Sequence, residues 1–317
     1  QKFTIVFLLS VAAMLSKGIA VVIPLSLIAV DIWLQRDMRQ AKLWLEKLPL
    51  IVVSVLVGIV AIKAQAAGQF LGLHPEYTWW DSILLASYAY ASYIVHLLLP
   101  VKLSVIYPYP QGMGWLQYLC LIVSGGIVWL GVVSWRRQWY ILCGGIVFST
   151  VNIALLLQLV QVGESLMADR YAYIAGIGLL LPLVYYPVQW LQSRGRQMLV
   201  VGCFSTLAIV LSVATFYRNN IWLSDKNFFS AILQAYPNSA VAQYSVGALY
   251  MKEGNYAEAN NHMELAVILD PGNYKAWYNK GALNLREGKI TDALDALNKC
   301  LAIKPYSKAY FSRALLY

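Results

Sequence analysis

Apolar residues run in long blocks up to residue 217 and fall into a periodic scatter after it. The first block, Phe3 to Leu34, is too long for one comfortable bilayer crossing of about 20 residues. Ser16-Lys17-Gly18 interrupts it and Pro24 follows. The pattern therefore predicts two short helices meeting at a polar break. Further spans are predicted at about 48–65, 82–100, 116–134, 139–160, 173–192 and 198–217. Tryptophans 79, 80, 115, 135, 139 and 190 lie near their ends, where an aromatic belt would place them.

The second part has a clear period. Pro237, Pro271 and Pro305 are 34 residues apart, as are Gly247 and Gly281, and Ala259 and Ala293. That is the length of a tetratricopeptide repeat, a helical hairpin with glycine at the close helix contact. Two repeats are complete, 240–273 and 274–307, and a third begins within 240–317. Ser224 is placed to cap a connecting helix over 225–236, within a linker of 218–239. The predicted fold is all-α, a polytopic transmembrane helix bundle (1–217) followed by a tetratricopeptide-repeat α-solenoid. Such repeats stack because one hairpin cannot bury its apolar face alone.

Composition agrees with membrane embedding. Hydrophobic residues make up 60% and charged residues 12%, against roughly 25% charged in soluble domains. The net charge is +9. Charge in the repeat part is mixed in sign, with no basic stripe of the kind that binds nucleic acid. Basic residues of the first part gather in islands at 35–47, 135–138 and 193–197. Two spans separate the last two islands, so these share a side. The excess of basic residues marks that side as cytoplasmic, which puts the 161–172 loop and the repeats outside. Three candidate spans separate the first two islands, so one of these is not a full crossing or the charge rule fails. The 82–100 run, rich in Ser and Tyr and carrying His96, is the suspect.

Chemistry concentrates in one loop, Gly163 to Tyr173, which holds Glu164, Asp169, Arg170, Tyr171 and Tyr173. A guanidinium at a membrane face matches phosphate oxygens with its fork of donors. Asp169 could orient it, and the tyrosines could stack on a sugar or a lipid head. An Arg–Asp pair with an aromatic anchor at a helix start is the plainer reading. Lys17 sits at the predicted helix break, and ionisable groups in membrane segments are often functional. Snorkelling to the interface is its alternative. Tyr107 and Pro108 belong to a proline-rich stretch, 99–110, that either lines a groove or is a stiff connector. Three of the four cysteines lie in apolar runs, and no CxxC or Cys/His cluster supports a disulfide framework or zinc site. Phosphate-binding Walker loops, GxSxG and HExxH are missing. No cofactor is identified, and a divalent cation has no evident ligands.

Several stretches together resemble the transmembrane and tetratricopeptide-repeat O-mannosyltransferases and their bacterial relatives. They are Leu15-Ser16-Lys17 with Pro24 and Asp31, then Leu99-Pro100 with Leu103-Ser104 and Tyr107-Pro108, and then Ala168-Asp169-Arg170-Tyr171-Ala172-Tyr173. Repeats directly after the last span complete the similarity. Ala172 and Ala175-Gly176 depart from the family's usual residues. The resemblance implies a C-type membrane glycosyltransferase that moves a sugar, mannose in that family, from a polyprenyl-phosphate donor to a protein acceptor on the external face. Its partners would be membrane lipid, lipid-linked sugar and a protein or peptide held by the repeats. It implies a bacterial inner membrane with periplasmic repeats. It gives Arg170 the donor phosphate, with Lys17 second and Asp169 and Glu164 in support. It places the catalytic carboxylate in a first external loop upstream of Gln1, so the chain reads as an inactive piece cut at both ends. A non-catalytic repeat scaffold and an O-antigen ligase or polymerase-like protein are the alternatives. The second usually has a large external loop with several arginines and a histidine, which is not seen.

Overall fold

The computed structural model describes residues 2–67, 77–101, 103–110, 112–159, 161 and 165–316. Regular structure among them is helical, apart from a one-residue antiparallel bridge between Tyr107 and Met167. The chain divides into two compact units, 1–205 and 206–317.

The first unit begins with α1 (Lys2–Ser16), a 3-10 turn (Gly18–Val22) and α2 (Ile23–Trp33). The break therefore falls at Lys17, whose extended backbone (φ −149°, ψ 118°) cannot continue a helix. Pro24 sits in the first turn of α2, where its missing N–H is tolerated. Then come α3 (Ala41–Leu45), α4 (Leu48–Ala67), α5 (Trp79–Leu98), α6 (Trp115–Arg136), α7 (Tyr140–Ala154), α8 (Ala172–Ser193) and α9 (Gln197–Arg218), in which the division into units falls. Among the described residues, four helical stretches are long and apolar enough to cross a membrane: Ala41–Ala67, Trp115–Arg136, Asp169–Ser193 and Gln197–Trp222.

Two expected spans come out differently. The run at 139–160 is helical only to Ala154, 15 residues, about 22 Å at 1.5 Å per residue. Turns follow through Leu155 to Ser165 where they are described, and an apolar run reads the same whether it coils or turns. The suspect run at 82–100 is α5, capped by Thr78 and Asp81 in a reciprocal capping box. It is buried by protein along most of its length. Its polar side chains serve internal contacts: the Tyr90 hydroxyl lies 2.8 Å from that of Thr150, and Ser124 donates to the Ser87 carbonyl at 3.3 Å. A helix solvated by protein can carry Ser and Tyr that a lipid-facing helix would exclude.

Close glycine contacts fix how these helices run. A Cβ on Gly178 would stand 2.5 Å from the Gly145 carbonyl and 2.7 Å from the Ser149 nitrogen, while Gly145 meets Pro182 one turn later in α8. So α7 and α8 are antiparallel and nearly touch backbone to backbone. Trp33 at the end of α2 donates to the Ile141 carbonyl near the start of α7, at 3.2 Å, and the Ala29 carbonyl faces Gly144. Thus α2 also runs against α7. Asp31 binds both Arg36 (2.9 Å) and Lys47, and Arg36 reaches Glu46 (2.9 Å). This network, buried at Asp31 and Lys47 and exposed at Arg36, joins the end of α2 to the start of α4. At the other end of α4, Ala61 lies beside Gly18. All three basic islands, 35–47, 135–138 and 193–197, therefore gather at one end of the unit. The disagreement between the first two islands disappears, because α4 leaves that end, α6 returns to it, and α5 is the interior helix.

The second unit holds α10 (Asp225–Ala235), α11 (Ala240–Glu253), α12 (Tyr256–Leu269), α13 (Tyr274–Arg286), α14 (Ile290–Ile303) and α15 (Ser307–Ala314). Ser224 caps α10 by accepting the Asn227 N–H. Consecutive helices pack pairwise. Gly247 lies against Met263 and the Ala259 carbonyl, and 34 residues later Gly281 lies against Leu297 and the Ala293 carbonyl. Gly254 and Gly288 end α11 and α13 with left-handed φ values of 81° and 76°. Ala259, Met263, Ala266, Val267, Ala276 and Leu283 form one shared core across neighbouring hairpins.

His262 is wedged into this core, with Nδ1 2.6 Å from Gln243 and its ring stacked on Tyr250. Burial pulls its pKa below the usual 6.5. The unfolded chain then binds the proton more readily, so stability is full above about pH 6.5 and is lost as pH falls through the lowered folded value. Hydrogen-exchange protection of α11 and α12 should drop between about pH 7.5 and pH 5 in the native protein, and less so in His262→Gln. Gly178→Ala should destabilise the first unit by about 1–3 kcal/mol through forced overpacking. Gly126→Ala, inside α6 at a position with nothing within 4 Å of the added carbon, should leave the melting midpoint in detergent unchanged or raise it slightly.

Candidate functional site

The loop before α8 is held by hydrogen bonds rather than by apolar packing alone. The Leu166 N–H donates to the Tyr107 carbonyl at 2.9 Å, closing the bridge to Met167. The Tyr93 hydroxyl accepts the Ala168 N–H at 3.1 Å. Leu166, Met167 and Ala168 are buried. Ala168 is extended, and Asp169–Tyr171 then form a 3-10 turn that leads straight into α8.

Tyr107 is the hub. Its hydroxyl donates to Asp169 Oδ1 at 2.8 Å, accepts the Ser104 N–H at 2.8 Å, and lies 3.2 Å from His96 Nδ1. Its ring stacks on His96 with centroids 5.3 Å apart. His96 Nδ1 is also 3.6 Å from Asp169 Oδ1. Tyr107 is only 5% exposed, so it braces the loop from beneath. Pro108 beside it is half-buried.

Asp169 thus turns toward Tyr107 and His96, away from the orienting role expected with Arg170. Arg170 is exposed, and among the described residues no carboxylate pairs with it. Its guanidinium donates to the Tyr171 hydroxyl at 3.3 Å and lies 4.9 Å from that ring's centroid. The half-buried Tyr171 props the cation up while leaving most of its donors free. Tyr173 is 80% exposed. Glu164 lies outside the described residues.

Lys17 is exposed at the tip of the α1–α2 hairpin. The antiparallel registers put it at the same end of the unit as Arg170. Both lie opposite the basic islands, at the end where α7 stops and α8 starts. Lys63, exposed near the end of α4 and two residues past Ala61, joins them. Sequence reading missed Lys63 and Tyr93 and gave His96 no role at the site. The spacing Tyr93–His96 puts the last two on one helix face, and that was the available signal.

An apolar cavity of about 270 Å³ opens among α5, α6, α7 and α8. Ile94, Leu98, Ile127, Ile146, Leu179 and Tyr186 line it. Among the described residues no three His, Cys, Asp or Glu side chains gather as a metal ion would need.

The tetratricopeptide repeat family model matches residues 274–307. No curated protein matches the chain. The match coincides with α13, α14 and the turn into α15, which are repeats by geometry as well as by period.

Tyr107→Phe should remove the hydroxyl that joins Asp169, His96 and the Ser104 amide, at about 1–3 kcal/mol for loss of a buried hydrogen-bonding group. Faster proteolysis and hydrogen exchange over 165–171, with the repeats unaffected, is the expected readout.

Proposed function

We propose that the chain is part of a membrane glycosyltransferase that moves a sugar from a polyprenyl-phosphate donor to a protein acceptor. In this reading the first unit is a transmembrane bundle and the second is a tetratricopeptide solenoid that holds the acceptor or a partner. What supports it is that Arg170, with no carboxylate partner among the described residues, lies at the same end of the first unit as Lys17. The three basic islands at the opposite end favour a cytoplasmic position for that end. Arg170, Lys17 and, one crossing later through α9, the repeats would then face the outside of a bacterial inner membrane.

The chemistry follows from charge. An acceptor hydroxyl attacks the sugar's anomeric carbon and gives its proton to a carboxylate. The bond from that carbon to the phosphate oxygen breaks, and the departing polyprenyl phosphate gains negative charge. Arg170 would neutralise that charge through its free donors, with Lys17 adding long-range attraction. Asp169, held by Tyr107 and His96, fixes the turn that presents Arg170. The cavity, about 270 Å³ and lined by apolar side chains, is of a size to take part of an isoprenoid tail.

The repeat match favours a second reading, a membrane-anchored scaffold whose repeats gather proteins without catalysis. One experiment separates the two. Transfer from lipid-linked sugar is measured in membranes carrying the full-length protein. Arg170→Ala should lower it by about a hundredfold or more, as loss of a charge-stabilising donor does, and Arg170→Lys should recover only part. Unchanged transfer in Arg170→Ala removes the assigned role, and an absence of transfer in the native protein favours the scaffold.

A further inference from the structure

At the end of the first unit that carries the basic islands, α1, α2 and the start of α4 border a cavity of about 200 Å³. Its wall is split. Phe3 and Val6 of α1, Leu27 of α2 and Leu50 of α4 make one side apolar. Asp31, Arg36, Glu46 and Lys47 make the other side ionic. Helices α1 and α4 rise together from this end, since Ser54 donates to the Met14 sulfur at 3.6 Å and Ala61 lies beside Gly18. Leu27 is about one helical turn deeper than Asp31, and Leu50 about one turn deeper than Lys47. The apolar side is therefore the inner part of the cavity.

The four ionic side chains are graded from buried to exposed. Asp31 and Lys47 are buried and pair with each other, Glu46 is half-buried, and Arg36 is exposed. Lys47 also donates to the Leu43 carbonyl at 3.1 Å, so the inner cation is satisfied. The outer pair is not saturated. Arg36 gives one N–H to Asp31 Oδ1 and one to Glu46 Oε2, both at 2.9 Å, and the rest of its donor fork meets no acceptor among the described residues. Glu46 Oε1 likewise accepts no hydrogen bond from them. Uncommitted donors and an uncommitted carboxylate oxygen thus sit side by side above an apolar recess. Two acids and two bases make the group neutral as a whole. Arg39 and Lys42, exposed bases of the same island, do not line the cavity. Trp44, Leu45 and Leu48 are exposed beside it, which puts the boundary between apolar and polar surface at the level of Glu46.

We infer that this cavity holds a phospholipid whose zwitterionic headgroup ends in a primary amine. Its phosphate would take the free donors of Arg36, whose planar fork matches phosphate oxygens. Its ammonium would donate to Glu46 Oε1. An acyl chain would enter the recess among Phe3, Val6, Leu27 and Leu50. Charge decides the class of lipid. An anionic headgroup would set its negative charge beside Glu46 with no cation of its own to offset it. A choline headgroup brings a positive charge but no N–H for Glu46. The inference rests on the membrane placement of the first unit and not on sugar transfer.

The test is native mass spectrometry of the full chain in detergent, given equal amounts of phosphatidylethanolamine, phosphatidylcholine and phosphatidylglycerol with matched acyl chains. One retained lipid is expected, with the ethanolamine lipid favoured over each of the others by about tenfold, as a single charge-assisted hydrogen bond allows. Glu46→Gln should bring the ethanolamine and choline lipids close to parity. Leu27→Trp should fill the recess and cut retention of all three; if that variant fails to fold, Glu46→Gln decides alone. Glycerophosphoethanolamine, the same headgroup without acyl chains, should not displace the lipid. Displacement would make this a site for a soluble phosphate compound and overturn the lipid assignment. Arg170→Ala should retain the lipid as the native protein does, which keeps this result apart from the transfer assay. The inference is overturned if either other lipid is held as well as the ethanolamine lipid, or if Glu46→Gln keeps the full preference. Release of the chain from membranes by alkaline carbonate, without detergent, would remove the membrane placement and this inference with it. A chain that needs detergent for release but shows no lipid preference overturns this inference alone.

Discussion

The position of everything chemical in the first unit depends on one backbone contact. Gly145 and Gly178 lie so close that either would drive an added methyl into the other's carbonyl. In a bilayer, water is not there to push helices together, and close van der Waals approach between small residues takes over. That contact fixes the register of α8 on α7. The register sets the level at which α8 begins, and with it the level of Asp169 and Arg170. Gly144, on the next face of α7, does the same for α2 through Trp33 and Ala29. Two adjacent glycines thus align the Lys17 hairpin tip and the Arg170 turn at one end.

Much of this was legible in the residues. Ser16-Lys17-Gly18 marked the break because a charged residue and a glycine rarely sit together inside an apolar helix. Of the glycines in apolar runs, Gly144-Gly145, Gly176 and Gly178 sit at close helix contacts, while an added carbon on Gly125 or Gly126 would meet nothing within 4 Å. The repeats were legible in most detail, since a 34-residue period fixes which Gly meets which Ala in every hairpin. The caps at Ser224, Ser239, Asn255 and Asn273 each accept the backbone N–H three residues on. The end of α7 at Ala154 was not legible, because Leu155-Leu156-Leu157 prolong the apolar signal past the point where the backbone turns.

The hub of the candidate site was the least readable part. His96, Tyr107 and Asp169 come from α5, a proline-rich segment and the loop before α8, and no local pattern links them. Proximity in sequence pointed to an Asp169–Arg170 pair, while the fold gave Asp169 the Tyr107 hydroxyl. On this 3-10 turn Arg170 pairs with its neighbour on the other side, Tyr171, and Asp169 with residues far off in sequence. The same turn that separates them is what exposes Arg170.

The charge network at the opposite end carries a consequence for how the chain is made. Asp31 is buried near the end of an otherwise apolar helix, where an unpaired carboxylate is unfavourable. Its two counter-charges, Arg36 and Lys47, are both translated later, and Lys47 comes at the threshold of α4. Until the ribosome has passed that lysine, the carboxyl group in α2 lacks half of its final neutralisation. The hairpin of α1 and α2 and the helix α4 are therefore coupled during synthesis, and the order of the genetic text is also an order of electrical balance.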